Sequence, residues 1–324
     1  MSELRVATWN VLNRDRARRT PLLVETLARV DADVVLLQET EPAHARELAD
    51  TLGYAWYVAA PTGDAPVESL PALLSRLPVA NVEMIELPTD YRQRFYAVCA
   101  EIGTPAGPLT AVSTHLRHTA RAGRMALDPA VRAWDDTAPG VQGDAAPGVR
   151  GDAAPGTAAD DETDLATRAS DPDPDSPAAI IAMRLAQLAV IRERLGRYLD
   201  APLLFGGDLN FLPDGPEYRA VLDWGVRDAW RAGPRLGSGA TILEHNPLIA
   251  DGAGIYAEEF GRQAPGGEAP LDYTLDFQFA SPFLRPGAAW VFGRPSPATR
   301  DQWASDHLGI AVDYHLDYDA PARA

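Results

Sequence analysis

Short apolar runs rich in valine, leucine and aromatic residues recur along the chain, each stopped by polar or turn-forming residues: LRVATW, DVVLLQ, YAWYV, LPALLS, FYAVCAEI, PLTAVST, PLLFGG, LDFQFAS, AAWVF and GIAVDY. Runs of this length and composition read as strands. Between them lie stretches with apolar residues three and four apart, PLLVETLARV at 21–30, PAHARELADTLG at 42–53 and IIAMRLAQLAVIRERLGRYL at 180–199, which read as helices. Many strands with interspersed helices predict an α/β sandwich.

One stretch breaks the pattern. Residues 135–177 are rich in Pro, Gly, Ala and Asp and contain the near-repeat VQGDAAPG, VRGDAAPG. Such a composition has too little apolar surface to order a chain, and an eight-residue period is too short for a stacked repeat. The expected organisation is one catalytic domain in two parts, 1–134 and 178–324, interrupted by a disordered acidic insert at 135–177. The insert falls between a strand and a helix, where a long loop costs the core little.

The whole chain carries 29 Lys and Arg against 46 Asp and Glu, a formal charge of −17. That balance argues against an extended grip on a nucleic-acid duplex. The insert alone holds eleven acids against Arg150 and Arg168, so it supplies nine of these charges and the remainder carries only −8, which weakens that argument. Cys99 is the single cysteine, so neither an intramolecular disulfide nor a thiolate metal cluster is available. The sequence shows no export-type N-terminus and no apolar run near the roughly 20 residues a bilayer span needs, and a cytoplasmic location is the default expectation.

Polar residues stand at the ends of the apolar runs with unusual regularity. ATWN ends in Asn10, DVVLLQE in Glu39, VSTH in His115 and GGDLN in Asp208 and Asn210, and SDH occupies 305–307. A rigid sheet aims such residues. If they converge, the site offers oxygen ligands and two imidazoles without a thiolate, a donor set suited to Mg²⁺ or Mn²⁺.

Taken in order, TWN, QE, LLSRLP, STHL, GGDLN, LDF or LDY, and SDH resemble the endonuclease/exonuclease/phosphatase superfamily, the deoxyribonuclease I-like fold, over nearly all the chain except the insert. The resemblance implies a four-layer α/β sandwich of two mostly antiparallel β-sheets flanked by helices, with metal-dependent phosphoester hydrolysis at one edge. It implies Glu39 as principal metal ligand with Asn10 beside it and Asp306 as a further metal-site or histidine-supporting acid. Asp208 would orient or deprotonate water, Asn210 would donate to phosphoryl oxygens, and His115 would contact phosphate or the leaving oxygen. His307 resembles the catalytic histidine. Its carboxylate partner is Asp276 by register from Ser281-Pro282, with Asp272 as the rival. Arg76 in LLSRLP and Arg184, one helical turn from Gln187, are softer candidates for supporting the site or the substrate.

Each residue also has an ordinary structural alternative. Asp208, Asn210 and Asn10 suit turns, Glu39 suits a helix N-terminus before Pro42, and Arg184 suits a solvated helix face. His118 rivals His115, whereas His44, His245 and His315 read as surface or satisfied structural histidines. A phosphodiester substrate follows from the resemblance, small or single-ended rather than a long duplex. Some likeness to sphingomyelinase-like phosphodiesterases and an inactive binding module of the same fold stand as alternatives.

Overall fold

The computed structural model describes residues 2–60, 70–89, 94–118, 176–249, 260, 272–296 and 302–316. The acidic insert lies outside the described residues except at its end. There Ser176 accepts a hydrogen bond from the Ala179 amide and Pro177 opens a helix, so the boundary at 177 is corrected: the last two residues belong to the folded domain. Proline suits a first helical position because its missing N–H would have no intrahelical partner.

Among the described residues, thirteen strands form two sheets. The first contains β1 (Ser2–Asn10), β2 (Val34–Thr40), β3 (Trp56–Ala59), β4 (Leu70–Ser75), β10 (Arg235–Leu236), β12 (Leu284–Phe292) and β13 (Gly309–Leu316), in the order β10-β12-β13-β1-β2-β4-β3. The second contains β5 (Val79–Leu87), β6 (Phe95–Thr104), β7 (Gly107–His115), β8 (Leu203–Asp208), β9 (Arg227–Asp228) and β11 (Asp276–Ala280), in the order β5-β6-β7-β8-β11-β9. Neighbours run antiparallel except β1 with β2, β10 with β12, and β7 with β8.

Period-two alternation explains the layers. In β1, Leu4 and Val6 face the second sheet while Ala7 and Trp9 face outward. In β2, Val34 and Leu36 join the core between the sheets, and Val35 and Leu37 pack outward against α1 (Arg16–Val30) and α2 (Pro42–Leu52) through Leu23, Leu27 and Leu48. On the far side, α3 (Pro177–Leu195) and α4 (Pro216–Leu222) cover the second sheet, with Leu188, Ile191 and Val221 against Phe205, Phe277 and Phe279. The result is the expected four-layer sandwich. Glutamines stitch its two sheets together: Gln38 donates to Ser113 Oγ at 3.1 Å, and Gln278 donates to the Val6 and Ile310 carbonyls at 3.1 and 2.9 Å.

Helix α4 and the two-residue strands β9 and β10 have no counterpart in the sequence pattern, and two further elements differ from it for a clear local reason. Helix α1 starts at Arg16 and carries Pro21 inside it, where the pattern places its start at residue 21. Strand β5 escapes the apolar-run criterion because Asn81, Glu83 and Glu86 dilute it. It lies at a sheet edge, paired only with β6, and needs no continuous apolar face.

Candidate active site

Strand direction assembles the site. Asn10 and Glu39 stand at the C-terminal ends of the parallel strands β1 and β2, and His115 and Asp208 at the C-terminal ends of the parallel strands β7 and β8. Strands β11 and β13 run the other way, so their N-terminal ends bring Asp276 and the preceding His307 to the same rim. Within the second sheet His115 pairs with Asp208 and Asp208 with Asp276, which sets three site residues in one cross-strand row.

The two glycines before Asp208 make that row possible. A Cβ on Gly206 would meet the Phe277 carbonyl at 2.7 Å, and one on Gly207, at φ +145°, would meet the Thr114 carbonyl at 1.9 Å. Only glycine lets β7 and β11 close on β8 here.

Asp208 is the hub. Its Oδ2 lies 3.0 Å from Asn10 Nδ2, 3.3 Å from His115 Nε2 and 3.6 Å from His307 Nε2, while its Oδ1 accepts the Asn210 amide at 3.2 Å. Burial alone would raise its pKa, but the two imidazoles and the amide donors more than offset this and leave it below the ordinary value. His307 Nδ1 sits 2.8 Å from Asp276 Oδ2. Burial disfavours the imidazolium, yet Asp276 and Asp208 outweigh burial and hold His307 well above its usual pKa. Thr241 Oγ1 accepts the Leu275 amide at 3.1 Å and the Asp276 amide at 3.4 Å, which fixes the approach of Asp276. Asp272, the rival, instead accepts the Glu244 amide at 3.0 Å.

On the first sheet, Glu39 adopts φ 55° where the pairing of β2 with β4 shifts register, so its side chain leaves the regular alternation. Its Oε1 accepts from Asn10 Nδ2 at 2.9 Å and its Oε2 from the Asn13 amide at 3.2 Å. Burial first, and then the nearby Asp306, raise the Glu39 pKa. Asn10 Oδ1 accepts the Leu12 amide at 3.0 Å, so Asn10 presents its nitrogen, not its oxygen, to the carboxylates. In this arrangement Asn10 bridges Glu39 and Asp208 as a donor rather than standing ready as an oxygen ligand, which differs from the sequence expectation.

Asn210, at φ 52°, donates from Nδ2 to the Leu116 carbonyl at 3.3 Å and keeps one amide proton beyond that bond. Among the described residues nothing hydrogen-bonds the buried His115 Nδ1. His118 stacks edge-on at 6.4 Å from His115, outside the contacts to Asp208.

The two softer candidates lie elsewhere. Strand β4 is antiparallel to β2 and pairs Ser75 with Val34, so Arg76 emerges at the end of the sheet opposite Glu39. It pairs there with Asp31 at 2.6 Å and lies over the Tyr54 ring at 5.2 Å, which corrects the expectation that it supports the site. Arg184 is fully buried rather than solvated. Its Nε donates to the Arg117 carbonyl at 2.6 Å and its Nη1 lies 3.5 Å from Glu217, while Gln187 accepts the Arg117 amide at 2.9 Å. This pair holds the backbone at Arg117, two residues beyond His115.

Several contributors lie outside the candidate residues. Ser305 Oγ donates to the Asn10 carbonyl at 2.6 Å, Trp9 Nε1 to the His307 carbonyl at 2.9 Å, and Asn246 Nδ2 to the Ser305 and Asp306 carbonyls at 3.0 and 2.8 Å. Thr241 and Asn246 were invisible because their partners are main-chain groups. Trp9 and Ser305 carried a signal, through TWN and SDH.

Two donor sets can hold a cation. Asp208, Asp276 and His307 offer atoms within 4.8 Å of one another. Within this group His307 Nδ1 and Asp276 Oδ2 are hydrogen-bonded at 2.8 Å, while Asp276 Oδ1 is buried without a hydrogen-bond partner among the described residues. Half-buried Glu39 lies in the field of Asp306, and burial and then that field raise its pKa. All of these are hard oxygen or imidazole donors, and no thiolate is among them.

A protein-family model described as the endonuclease/exonuclease/phosphatase family matches residues 7–307. Among solved structures, an endonuclease/exonuclease/phosphatase from Beutenbergia cavernae has 19% identity and a TM-score of 0.57 over 98% of this chain and 72% of its own. One from Bacteroides vulgatus has 14% identity and a TM-score of 0.61 over 98% of this chain and 100% of its own. TDP2 of D. rerio, complexed with single-strand DNA product, has 17% identity and a TM-score of 0.59 over 98% and 100%. At these identities the likeness is one of fold. No curated protein matches the sequence. With the family match running from β1 to His307, the chain belongs to the endonuclease/exonuclease/phosphatase family, whose members are generally phosphoesterases.

Proposed function

We propose that this chain is a divalent-cation-dependent phosphoesterase that hydrolyses a phosphodiester by in-line attack of water. The observation that carries this reading is the hub at Asp208, where donors from both sheets converge on one carboxylate oxygen. We also read the chain as a single catalytic domain around the insert, because Asn10, Glu39 and His115 precede it and Asp208, Asp276 and His307 follow it.

Asp208, kept ionised by its neighbours, accepts a proton from an attacking water and orients it. His307, held as imidazolium by Asp276 and Asp208, faces the site with Nε2 and stabilises or protonates the oxygen on which charge develops. Asn210 and His115 hold phosphoryl oxygens with the donors their structural bonds leave over. Glu39 and Asp306 would hold Mg²⁺ or Mn²⁺, which supplies charge neutralisation at the phosphoryl oxygens. Asn10 keeps Glu39 and Asp208 at a fixed spacing.

The substrate reading is a nucleotide-type or other small or single-ended phosphodiester. The bound single-strand DNA product in the similarly folded D. rerio TDP2 supports starting a substrate panel with oligonucleotide ends. An inactive binding module is disfavoured, since every metal and proton-handling residue expected from sequence is present at the rim. A chromogenic phosphodiester assay with Mg²⁺ or chelator, beside Asp208→Ala and His307→Ala, decides the matter. The reading predicts turnover that needs the cation and both side chains. Activity indifferent to all three would refute it.

A further inference from the structure

Behind the carboxylates lies a buried cation that faces no substrate. Arg19, in α1, is 3% exposed. Its Nε donates to the Arg14 carbonyl at 2.8 Å, its Nη1 to the Val11 and Ala304 carbonyls at 2.7 Å each, and its Nη2 to the Leu12 and Arg14 carbonyls. All five N–H donors of the guanidinium are thereby spent on main-chain oxygens. Four of these bonds hold the turn between β1 and α1, in which Leu12 and Asp15 take φ values of 52° and 51° that non-glycine residues avoid. The fifth reaches Ala304, immediately before Ser305-Asp306-His307.

The two segments joined in this way each deliver part of the cation site. The first carries Asn10, which donates to Glu39, and Asn13, whose amide does the same. The second carries Asp306. Ser305 Oγ to the Asn10 carbonyl ties the same segments a second time, at 2.6 Å. Burial lowers the Arg19 pKa, and Asp306 and then Glu39 only partly oppose it, which places the guanidinium within electrostatic reach of both. Without a tie, two like charges at a common rim move apart.

We propose that Arg19 is a positioning residue that fixes the spacing of Glu39 and Asp306 by bridging the β1–α1 turn to Ala304, and so sets divalent-cation affinity. This role rests on the reading that Glu39 and Asp306 hold the cation. Lysine would keep the charge but offers three donors without a planar fork, so it cannot span the same carbonyls.

The test measures Mn²⁺ binding directly, by the electron paramagnetic resonance signal of free Mn²⁺, on the full chain. Variants are Arg19→Lys, Ser305→Ala and, as a destabilising control under the opposite helix layer, Leu195→Ala. Arg19→Lys should bind Mn²⁺ about tenfold or more weakly, the usual cost of losing support behind a metal ligand, with kcat recovering at saturating Mn²⁺. Ser305→Ala should shift affinity in the same direction, and Leu195→Ala should not. A folded Arg19→Lys with wild-type affinity, or one weakened no more than the control, overturns the role. If Arg19→Lys does not fold, wild-type affinity in Ser305→Ala overturns it and weakened affinity sustains it. Failure of the wild-type chain to bind Mn²⁺ is a separate result, which removes the cation site and this role with it.

Discussion

His307 Nδ1 and Asp276 Oδ2 stand 2.8 Å apart across the seam between the two sheets, one residue preceding β13 of the first sheet and the other opening β11 of the second. The pair is therefore both a chemical couple and a weld. Its carboxylate orients the ring with Nε2 toward Asp208 and stabilises the imidazolium, and its geometry depends on both sheets holding their register.

Neutralising that carboxylate separates chemistry from structure. Asp276→Asn keeps the shape but removes the charge that orients and stabilises the imidazolium, and kcat should fall by about 10² to 10⁴, the upper figure matching a neutralised serine-protease triad. Steady-state kinetics beside a thermal melt checks this. A variant that melts like wild type and turns over undiminished would contradict the assigned couple.

Gly207 is the most constrained position of the site. In Gly207→Ala the new Cβ would lie 1.9 Å from the Thr114 carbonyl at φ +145°, so β7 and β8 must part. Overpacking together with backbone strain should cost about 3 kcal/mol or more in urea unfolding. A loss below about 1 kcal/mol would mean that the strands yield more easily than their pairing suggests.

Asn10 donates to two carboxylates at 2.9 and 3.0 Å. Asn10→Asp replaces those donors with a third negative charge, and the cation-free chain should lose about 2–4 kcal/mol of stability. Mg²⁺ should restore part of that loss by binding the folded state. The comparison is a melting-temperature series with Mg²⁺ and with chelator, and a variant insensitive to both conditions would argue against charge crowding at this rim.

His44 gives a pH signature away from the chemistry. Burial, then Arg16 and Arg19, lower its pKa from 6.5 to about 4, and its ring nitrogens lie 3.3 Å from Thr20 Oγ1 and 3.4 Å from Thr40 Oγ1. The unfolded chain thus binds the proton more readily. The stability that neutral His44 preserves is complete above pH 6.5 and is lost as the pH falls toward about 4, by on the order of 2–3 kcal/mol. His44→Gln should flatten that slope in urea titrations, and an unchanged slope would assign the acid loss to another group.

The rim residues were legible because polar residues end apolar runs repeatedly and in the order of the family's motifs, which turn chemistry at any one position does not require. The choice of Asp276 over Asp272 rested on spacing to Ser281-Pro282; in the structure Asp276 lies 2.8 Å from His307 Nδ1, and Asp272 accepts the Glu244 amide instead. Strand direction was not legible. An apolar run reads the same whichever way it lies, so Arg76 seemed to share the rim when the antiparallel course of β4 sends it to the far end. Arg184 looked amphipathic by helical spacing, yet its partners are the Arg117 carbonyl and Glu217, which no local pattern encodes.

The sequence by itself determined where the apolar strands end and which donor chemistry those ends carry, because alternation and turn chemistry are local and leave a local trace. Only the tertiary structure decided which ends meet, that Asn10 bridges Glu39 and Asp208 through its amide nitrogen, and that Arg19 fastens the two segments behind them. Such bonds run to main-chain oxygens and across sheets, where the partner's identity imposes nothing on the sequence and only its position in space matters.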